Sequence, residues 1–237
     1  MKKYLPYLLF ALILSWFVLR PILPAGAWYP MHDSTHPVRI LLMRWTIAAG
    51  QFPPLWSDTI NGGYGYPLFQ FYAPLYHLLS YSLSVLLSTL EYPLTTALKT
   101  TLALTTIIGA SGMMLFARRW GRVAAVISAI AFTTSPLIAL EIYVRGAFSE
   151  YLSLALLPWV LLATESLSTG RKVALAAISL ALFVLSHNLI PLLAAPLLLI
   201  WMVYHNLGQL SRVAWATILA VALSAWFTLP LLFERDF

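Results

Sequence analysis

The sequence predicts an all-α integral membrane protein with about seven transmembrane helices, and its composition supports that fold class. The 237-residue chain is 61% hydrophobic and only 9% charged, whereas a soluble domain averages about 25% charged residues. Every backbone amide inside a bilayer must be satisfied within its own element, so only helices or a closed barrel can span it. The apolar runs are long, do not alternate and are rich in leucine and alanine, which indicates helices.

Seven apolar runs are predicted as membrane spans, since a crossing helix needs about 20 apolar residues. The predicted spans are residues 4–23, 94–116, 123–140, 150–167, 173–187, 189–204 and 213–233. The first run follows Lys2 and Lys3 and precedes small residues at 25–27, so a cleaved signal peptide is an alternative interpretation of it. An eighth run, 71–90, contains several tyrosines and serines, and we expect it to lie in or dip into the outer leaflet.

The basic residues orient these spans, because they concentrate on the cytoplasmic side of membrane proteins. If residues 71–90 do not cross, the following basic residues share one side: Lys2, Lys3, Arg118, Arg119, Arg122, Arg171, Lys172 and Arg212. We therefore expect a cytoplasmic N-terminus and an extracytoplasmic first loop, residues 25–70. The net charge of +6 comes from small basic groups, which favours membrane lipids rather than nucleic acid as partners. We interpret residues 1–237 as a single transmembrane domain and expect it to be the N-terminal part of a longer protein.

The first loop carries the segment MHDSTH at residues 31–36. An acid between two histidines, at the mouth of a membrane domain, is a hypothesis for a functional site. Pro37 suits the first turn of a helix, which we expect to begin at His36 and to reach about residue 49. Its apolar residues recur at helical spacing and predict an amphipathic helix lying on the membrane: Val38, Leu41, Leu42 and Trp45.

Other polar residues are predicted to share the outer face, namely Glu141, Arg145, Glu150, His187, Asn188 and Glu234. Structural interpretations stand beside the functional one. Asp33 can cap the helix that begins near His36, and Asp33 with the neighbouring histidines could hold zinc. Arg145 can join the two glutamates in an ion-pair cluster that fixes helix ends, and Asn188 can be a turn residue.

Three motifs carry a resemblance to a known family. They are GYGYPxFxFYxPL at 63–75, RGxxxE at 145–150 and SHN at 186–188. Together with a His-Asp pair before a juxtamembrane helix, they resemble a family of prokaryotic membrane proteins labelled as 6-pyruvoyl-tetrahydropterin-synthase-related. Nothing in the chain resembles a soluble pterin enzyme, and the architecture is similar to that of the GT-C glycosyltransferases.

The resemblance implies transfer of a sugar, with inversion, from a polyprenyl-phosphate donor to a lipid, glycan or protein acceptor at the outer face of the prokaryotic cytoplasmic membrane. It implies that Asp33, in the first outer loop, is the catalytic base. The expected substrate-binding residues are His32, His36, Arg39, Tyr64, Tyr66, Arg145, Glu150, His187 and Asn188. Because the chain has no cysteine and few acids near Asp33, we expect no metal and no other cofactor.

Two other classes of function fit the sequence. Short, proline-interrupted spans such as 189–204 could surround the midplane site of a transporter. The polar residues collect outside rather than at mid-span, which favours the enzyme. A non-catalytic scaffold or lipid-binding protein with the same fold is the third class.

Overall fold

A computed structural model of the chain describes residues 5–24, 28 and 30–234, and helix dominates them. Eleven α-helices occur in this part of the chain: α1 (Leu5–Leu19), α2 (His36–Ala48), α3 (Leu68–Phe71), α4 (Leu75–Leu86), α5 (Pro93–Ala117), α6 (Arg122–Thr133), α7 (Pro136–Leu140), α8 (Phe148–Thr164), α9 (Gly170–Ser186), α10 (Leu189–His205) and α11 (Leu210–Phe233). The described residues contain no strand, only one antiparallel bridge between Ser57 and Tyr66. The all-helical prediction is therefore confirmed.

Each of the seven predicted spans overlaps at least one helix. By length and composition, three helical stretches of the described chain could cross a membrane: Pro93–Trp120, Arg122–Arg145 and Leu207–Phe233. Helix α4, within the ambiguous run 71–90, has 12 residues. It is about 18 Å long, which is shorter than the ~30 Å hydrocarbon core of a bilayer.

The predicted span 123–140 is interrupted rather than continuous. Helix α6 ends at Thr133, and α7 begins at Pro136, which lacks the amide hydrogen that a continuing helix needs. Ser135 caps the new helix by accepting a hydrogen bond from the amide of Ile138 at 3.3 Å. Helix α7 then runs into a π-helical turn, Glu141–Arg145, that ends at Gly146.

The described chain divides into two compact units. The first contains the described residues of Met1–Trp45 and Tyr76–Ala155, and the second those of Thr46–Leu75 and Leu156–Phe237. Each unit has its own buried apolar cluster.

The core of the first unit lies where α1 packs against α5 and α6. Its buried residues are mostly small: Ala11, Leu14, Ala110, Met114, Ala125 and Ala129. Small side chains let helix backbones approach closely, which is how helices associate in lipid. Helices α1 and α5 run antiparallel, because Ser15 bonds the carbonyl of Ala103 whereas the earlier residue Tyr7 lies beside Met114. The Lys99 ammonium donates to the carbonyl of Pro24 at 2.6 Å, beyond the end of α1.

The second unit is built mainly on the packing of α9 against α11. Its buried cluster includes Leu167, Val173, Ala176, Met202, Val213 and Ala216. Asn206, which follows α10, links that helix to the end of α8 and to the segment before α9. Its side-chain oxygen accepts from the amide of Leu167, and its side-chain amide donates to the carbonyls of Thr164 and Met202.

Candidate functional site

The MHDSTH loop and the start of α2 are organised by Asp33. Its Oδ1 accepts hydrogen bonds from the hydroxyl and the amide of Thr35, at 2.7 and 3.3 Å. Helix α2 begins at His36 with Pro37 in the first turn, and it ends at Ala48. The predicted helix is therefore confirmed, and the contacts of Asp33 with Thr35 form a turn just before it.

The inward face of α2 differs from the predicted apolar stripe. His36, Ile40 and Met43 are fully buried, and their spacing of four and three residues places them on one face. Val38 and Trp45, which were predicted to share the apolar face, are 55% and 46% exposed. Hydrophobic spacing alone could not separate a lipid-facing stripe from a protein-facing one.

Asp33 also forms an ion pair with the next turn of α2. Arg39 Nη1 donates to Asp33 Oδ2 at 2.6 Å, and the two side chains are 16% and 22% exposed. Partial burial raises the pKa of the Asp33 carboxyl, but the hydrogen bonds from Thr35 and Arg39 and the nearby positive charge outweigh it and lower that pKa to about 2. Asp33 is therefore an ionised, partly accessible carboxylate at neutral pH.

A backbone pairing holds this loop against the end of the π-helical turn. The amides of His32 and Asp33 donate to the carbonyls of Val144 and Arg145, both at 2.9 Å. Gly146 follows with φ +66° and ψ 28°, a left-handed conformation that suits glycine. A β-carbon at Gly146 would lie only 2.7 Å from the carbonyl oxygen of Asp33, so glycine also permits the close approach of the two segments.

His36 is buried behind Asp33 and links it to α4. Its Nε2 lies 2.6 Å from the carbonyl oxygen of Gly146, and its Nδ1 lies 3.3 Å from Nε2 of His77. A carbonyl can only accept, so the proton of His36 resides on Nε2, and Nδ1 accepts from His77. The ring of His36 also stacks on Phe148, with centroids 4.5 Å apart. Burial lowers the pKa of His36, although the bond to Gly146 and the charge of Asp33 oppose this effect, so the ring is neutral at pH 7.

Arg145 sits between two glutamates. It donates to Glu141, whose side chain is fully buried, and its Nη2 lies 2.9 Å from Glu150 Oε2. The predicted ion-pair cluster is therefore present. The Arg145 side chain is 46% exposed, so it is within reach of an anion from outside the protein.

These residues form one group, which we call the Asp33 cluster: Asp33, His36, Arg39, His77, Glu141, Arg145 and Glu150. All belong to the first unit. The ionised carboxylate of Asp33 lies beside the guanidinium of Arg39, and a second guanidinium belongs to Arg145, whose backbone carbonyl accepts from the Asp33 amide. Such a group can accept a proton and bind an anion such as a phosphate.

His77 and Gly146 were not predicted as site residues. His77 lies in the ambiguous run 71–90, and its partner His36 lies 41 positions away in sequence. Gly146 lies within the RGxxxE motif at 145–150, between two of the predicted site residues. A histidine within an apolar run is a signal that could have identified His77.

Four predicted substrate-binding residues belong to the second unit. Tyr64 and Tyr66 are 90% and 47% exposed, in the loop that the bridge from Ser57 to Tyr66 closes. His187 Nδ1 accepts from the amide of Ile190 at 3.2 Å, at the start of α10. Asn188 donates to the carbonyl of Phe71 at 2.8 Å.

Two further predictions concern His32 and a metal site. The His32 side chain is exposed, and only its backbone amide joins the pairing with Val144. No group of three or more histidine and acidic residues within the described chain could hold a metal ion. The zinc interpretation of the MHDSTH loop therefore lacks a ligand set among these residues.

The family model described as 6-pyruvoyl-tetrahydropterin synthase related domain, membrane protein, matches residues 69–236. The chain belongs to this family of membrane proteins. The matched segment contains the later part of the Asp33 cluster, from His77 to Glu150, but it begins after Asp33 and Arg39. No curated protein and no solved structure matches the chain.

Proposed function

We propose that this member of the PTPS-related membrane family is a GT-C type glycosyltransferase. It transfers a sugar, with inversion, from a polyprenyl-phosphate donor to a lipid, glycan or protein acceptor at the extracytoplasmic face of the prokaryotic cytoplasmic membrane. The observation that carries the proposal is the Asp33 carboxylate, ionised and 22% exposed, in contact with Arg39 and paired through its backbone with Arg145.

The proposed orientation has seven spans and a cytoplasmic N-terminus. The stretch Arg122–Arg145 has 24 residues, and about 20 residues suffice to cross a bilayer. Arg118, Arg119 and Arg122 lie at its beginning, and the Asp33 cluster lies at its end. The positive-inside rule assigns the arginine-rich end to the cytoplasm, and the Asp33 cluster is then extracytoplasmic.

The proposed reaction begins when the acceptor hydroxyl oxygen attacks the anomeric carbon of the donor sugar. The new carbon–oxygen bond forms as the bond to the lipid phosphate breaks, and the phosphate leaves with the electron pair. Asp33 takes the hydroxyl proton. Arg39 and Arg145 stabilise the negative charge on the departing phosphate, so the proposed reaction uses no metal.

Arg39 gives this mechanism an activation step. A carboxylate with a pKa of about 2 is a weak base, because efficient proton transfer needs a pKa nearer the working pH. The same guanidinium is a ligand for phosphate. When the Arg39 guanidinium binds the donor phosphate instead of Asp33, the Asp33 carboxylate loses a hydrogen bond and a neighbouring positive charge, and its pKa rises. Donor binding thereby prepares the base.

The test is Asp33→Asn in the full chain, reconstituted in liposomes with a radiolabelled polyprenyl-phosphate sugar and a membrane extract as acceptor. We expect transfer to fall at least about 100-fold, the lower range for loss of a general base. Asp58→Asn is the matched control, since Asp58 is an exposed acid of the same predicted loop. It should transfer at the rate of the unaltered chain.

Undiminished transfer by Asp33→Asn would exclude Asp33 as the base while leaving the enzyme class intact. Uptake of a solute into the liposomes with no covalent sugar product would instead identify a transporter. An equal loss in both variants would show that the effect is not specific to the Asp33 cluster.

A further inference from the structure

A groove in the first unit lies at the end of α1, α5 and α6 that is remote from the Asp33 cluster. Its volume is about 460 Å³, and its walls include Tyr7, Phe10, Met114 and Val126. Arg118 and Arg122 line the same groove. The volume falls in the usual range for ligand sites, about 300–1,000 Å³, and the walls combine an apolar surface with two cations.

The two arginines stand where α5 ends and α6 begins. Arg118 is half-buried and Arg122 is exposed, and Arg122 is the first residue of α6. The amides in the first turn of that helix add partial positive charge at the same place. Arg119 differs from its neighbours, because its guanidinium stacks over Phe116 at 4.5 Å and does not line the groove.

The acidic residues of the first unit lie at other positions. Asp33, Glu141 and Glu150 belong to the Asp33 cluster. Glu91 precedes α5 whereas Arg118 follows it, and the 25 residues of that helix separate the two by about 37 Å. Both charged residues that line the groove are basic, which favours an anionic ligand.

The depth of the arginines is that of lipid headgroups. Arg122 begins the membrane-length stretch Arg122–Arg145, so it lies near one membrane surface while the apolar walls extend along the helices toward the hydrocarbon. Arginine at a helix end reaches naturally to the headgroup layer.

We propose that this groove is a binding site for an anionic phospholipid. The phosphate and headgroup lie on Arg118 and Arg122, and one acyl chain lies along Tyr7, Phe10, Met114 and Val126. Basic pockets between transmembrane helices are known to bind anionic headgroups in this way. A soluble phosphate would leave the apolar walls uncovered, and a zwitterionic lipid would bring its own cation to the two arginines. The proposal is independent of sugar transfer.

The test uses the full chain in detergent and counts bound lipid by native mass spectrometry, with dioleoyl phosphatidylglycerol and dioleoyl phosphatidylcholine as probes. We expect phosphatidylglycerol to be retained in preference to phosphatidylcholine. Each arginine near a membrane surface contributes about fivefold in affinity, so Arg118→Gln with Arg122→Gln should weaken retention about 25-fold. Arg119→Gln is the matched control and should leave it unchanged.

Two further measurements address the apolar wall. Val126→Trp fills the groove while keeping both arginines, and it should also lower phosphatidylglycerol retention. Soluble glycerophosphoglycerol, which has the headgroup without the chains, should not bind the unaltered protein. Equal retention of both lipids, equal loss in Arg119→Gln, or binding of the soluble headgroup alone would overturn the proposal.

Discussion

Replacing Gly146 by alanine is expected to displace Asp33 without altering any polar side chain. Gly146 has φ +66° and ψ 28°, and an L-residue in this left-handed region costs about 1–2 kcal/mol. A β-carbon there would lie 2.6 Å from Met31 Sδ and 2.7 Å from the carbonyl oxygen of Asp33. The methionine side chain can rotate away, but the carbonyl is backbone, so the loop itself must move.

That movement disrupts the two hydrogen bonds between residues 32–33 and 144–145, each worth about 1 kcal/mol. We expect Gly146→Ala to lower the free energy of unfolding by about 3–4 kcal/mol, the sum of backbone strain and lost hydrogen bonds. Gly62 is a matched control, because its φ of +67° and ψ of 23° are nearly the same and a β-carbon there meets nothing within 4 Å. Gly62→Ala should therefore cost only the strain, about 1–2 kcal/mol.

The assay is thermal unfolding in detergent, followed by circular dichroism and tryptophan fluorescence. A destabilisation of 1 kcal/mol shifts the midpoint by about 2–4 °C in a chain of this length, so Gly146→Ala should melt roughly 10 °C lower and Gly62→Ala roughly 4 °C lower. Equal shifts in the two variants would refute the close approach of Asp33 to Gly146.

Three other predictions test the charges and the orientation. The pKa of Asp33 in the folded protein, about 2, lies below the ordinary value of 3.8. The ionised carboxylate therefore stabilises the folded state by about 1–2 kcal/mol above about pH 4, and this stabilisation is lost toward pH 2. Asp33→Asn should flatten the fall of the melting midpoint in acid, and an unchanged fall would contradict the ion pair. Arg145→Gln leaves the buried Glu141 carboxylate without its cation, so it should lower the free energy of unfolding, measured by chemical denaturation, by about 3–5 kcal/mol. Adding Glu141→Gln should restore part of that loss. The chain has no cysteine, so the single variants Ser34→Cys and Trp120→Cys can report the membrane topology. A membrane-impermeant maleimide should label Ser34→Cys in intact cells and Trp120→Cys only after permeabilisation. The reverse pattern would show that the proposed orientation is inverted.

Local sequence signals predicted the helix at the Asp33 cluster well. Pro37 fixes a backbone angle suited to a first helical turn, and Asp33 accepts two hydrogen bonds from Thr35, the residue before the helix. The predicted start at His36 is therefore correct, and the predicted end near residue 49 lies one residue beyond Ala48. Long apolar runs were equally informative, since the predicted span 94–116 lies within α5.

Features that depend on tertiary contact could not be predicted in the same way. The bond from His36 to His77 joins residues far apart in sequence, and no periodicity encodes it. The inward face of α2 is set by what packs against it, so Ile40 and Met43 were missed. The break before Pro136 was foreseeable, because proline disfavours helix in the residue preceding it, but hydropathy alone makes 123–140 look continuous.

The structural role of Asp33 in the turn before α2 and its proposed role as a base involve different oxygens of its carboxylate. Oδ1 is engaged by Thr35 and fixes the carboxylate at the start of α2, whereas Oδ2 is held by the guanidinium of Arg39. Asparagine can present its single oxygen to Thr35 and keep that contact, but it has no negative charge to offer to Arg39 or to an incoming proton. Asp33→Asn therefore separates the two roles more sharply than alanine would, because a variant that folds normally and does not transfer sugar has lost only the chemistry of the second oxygen.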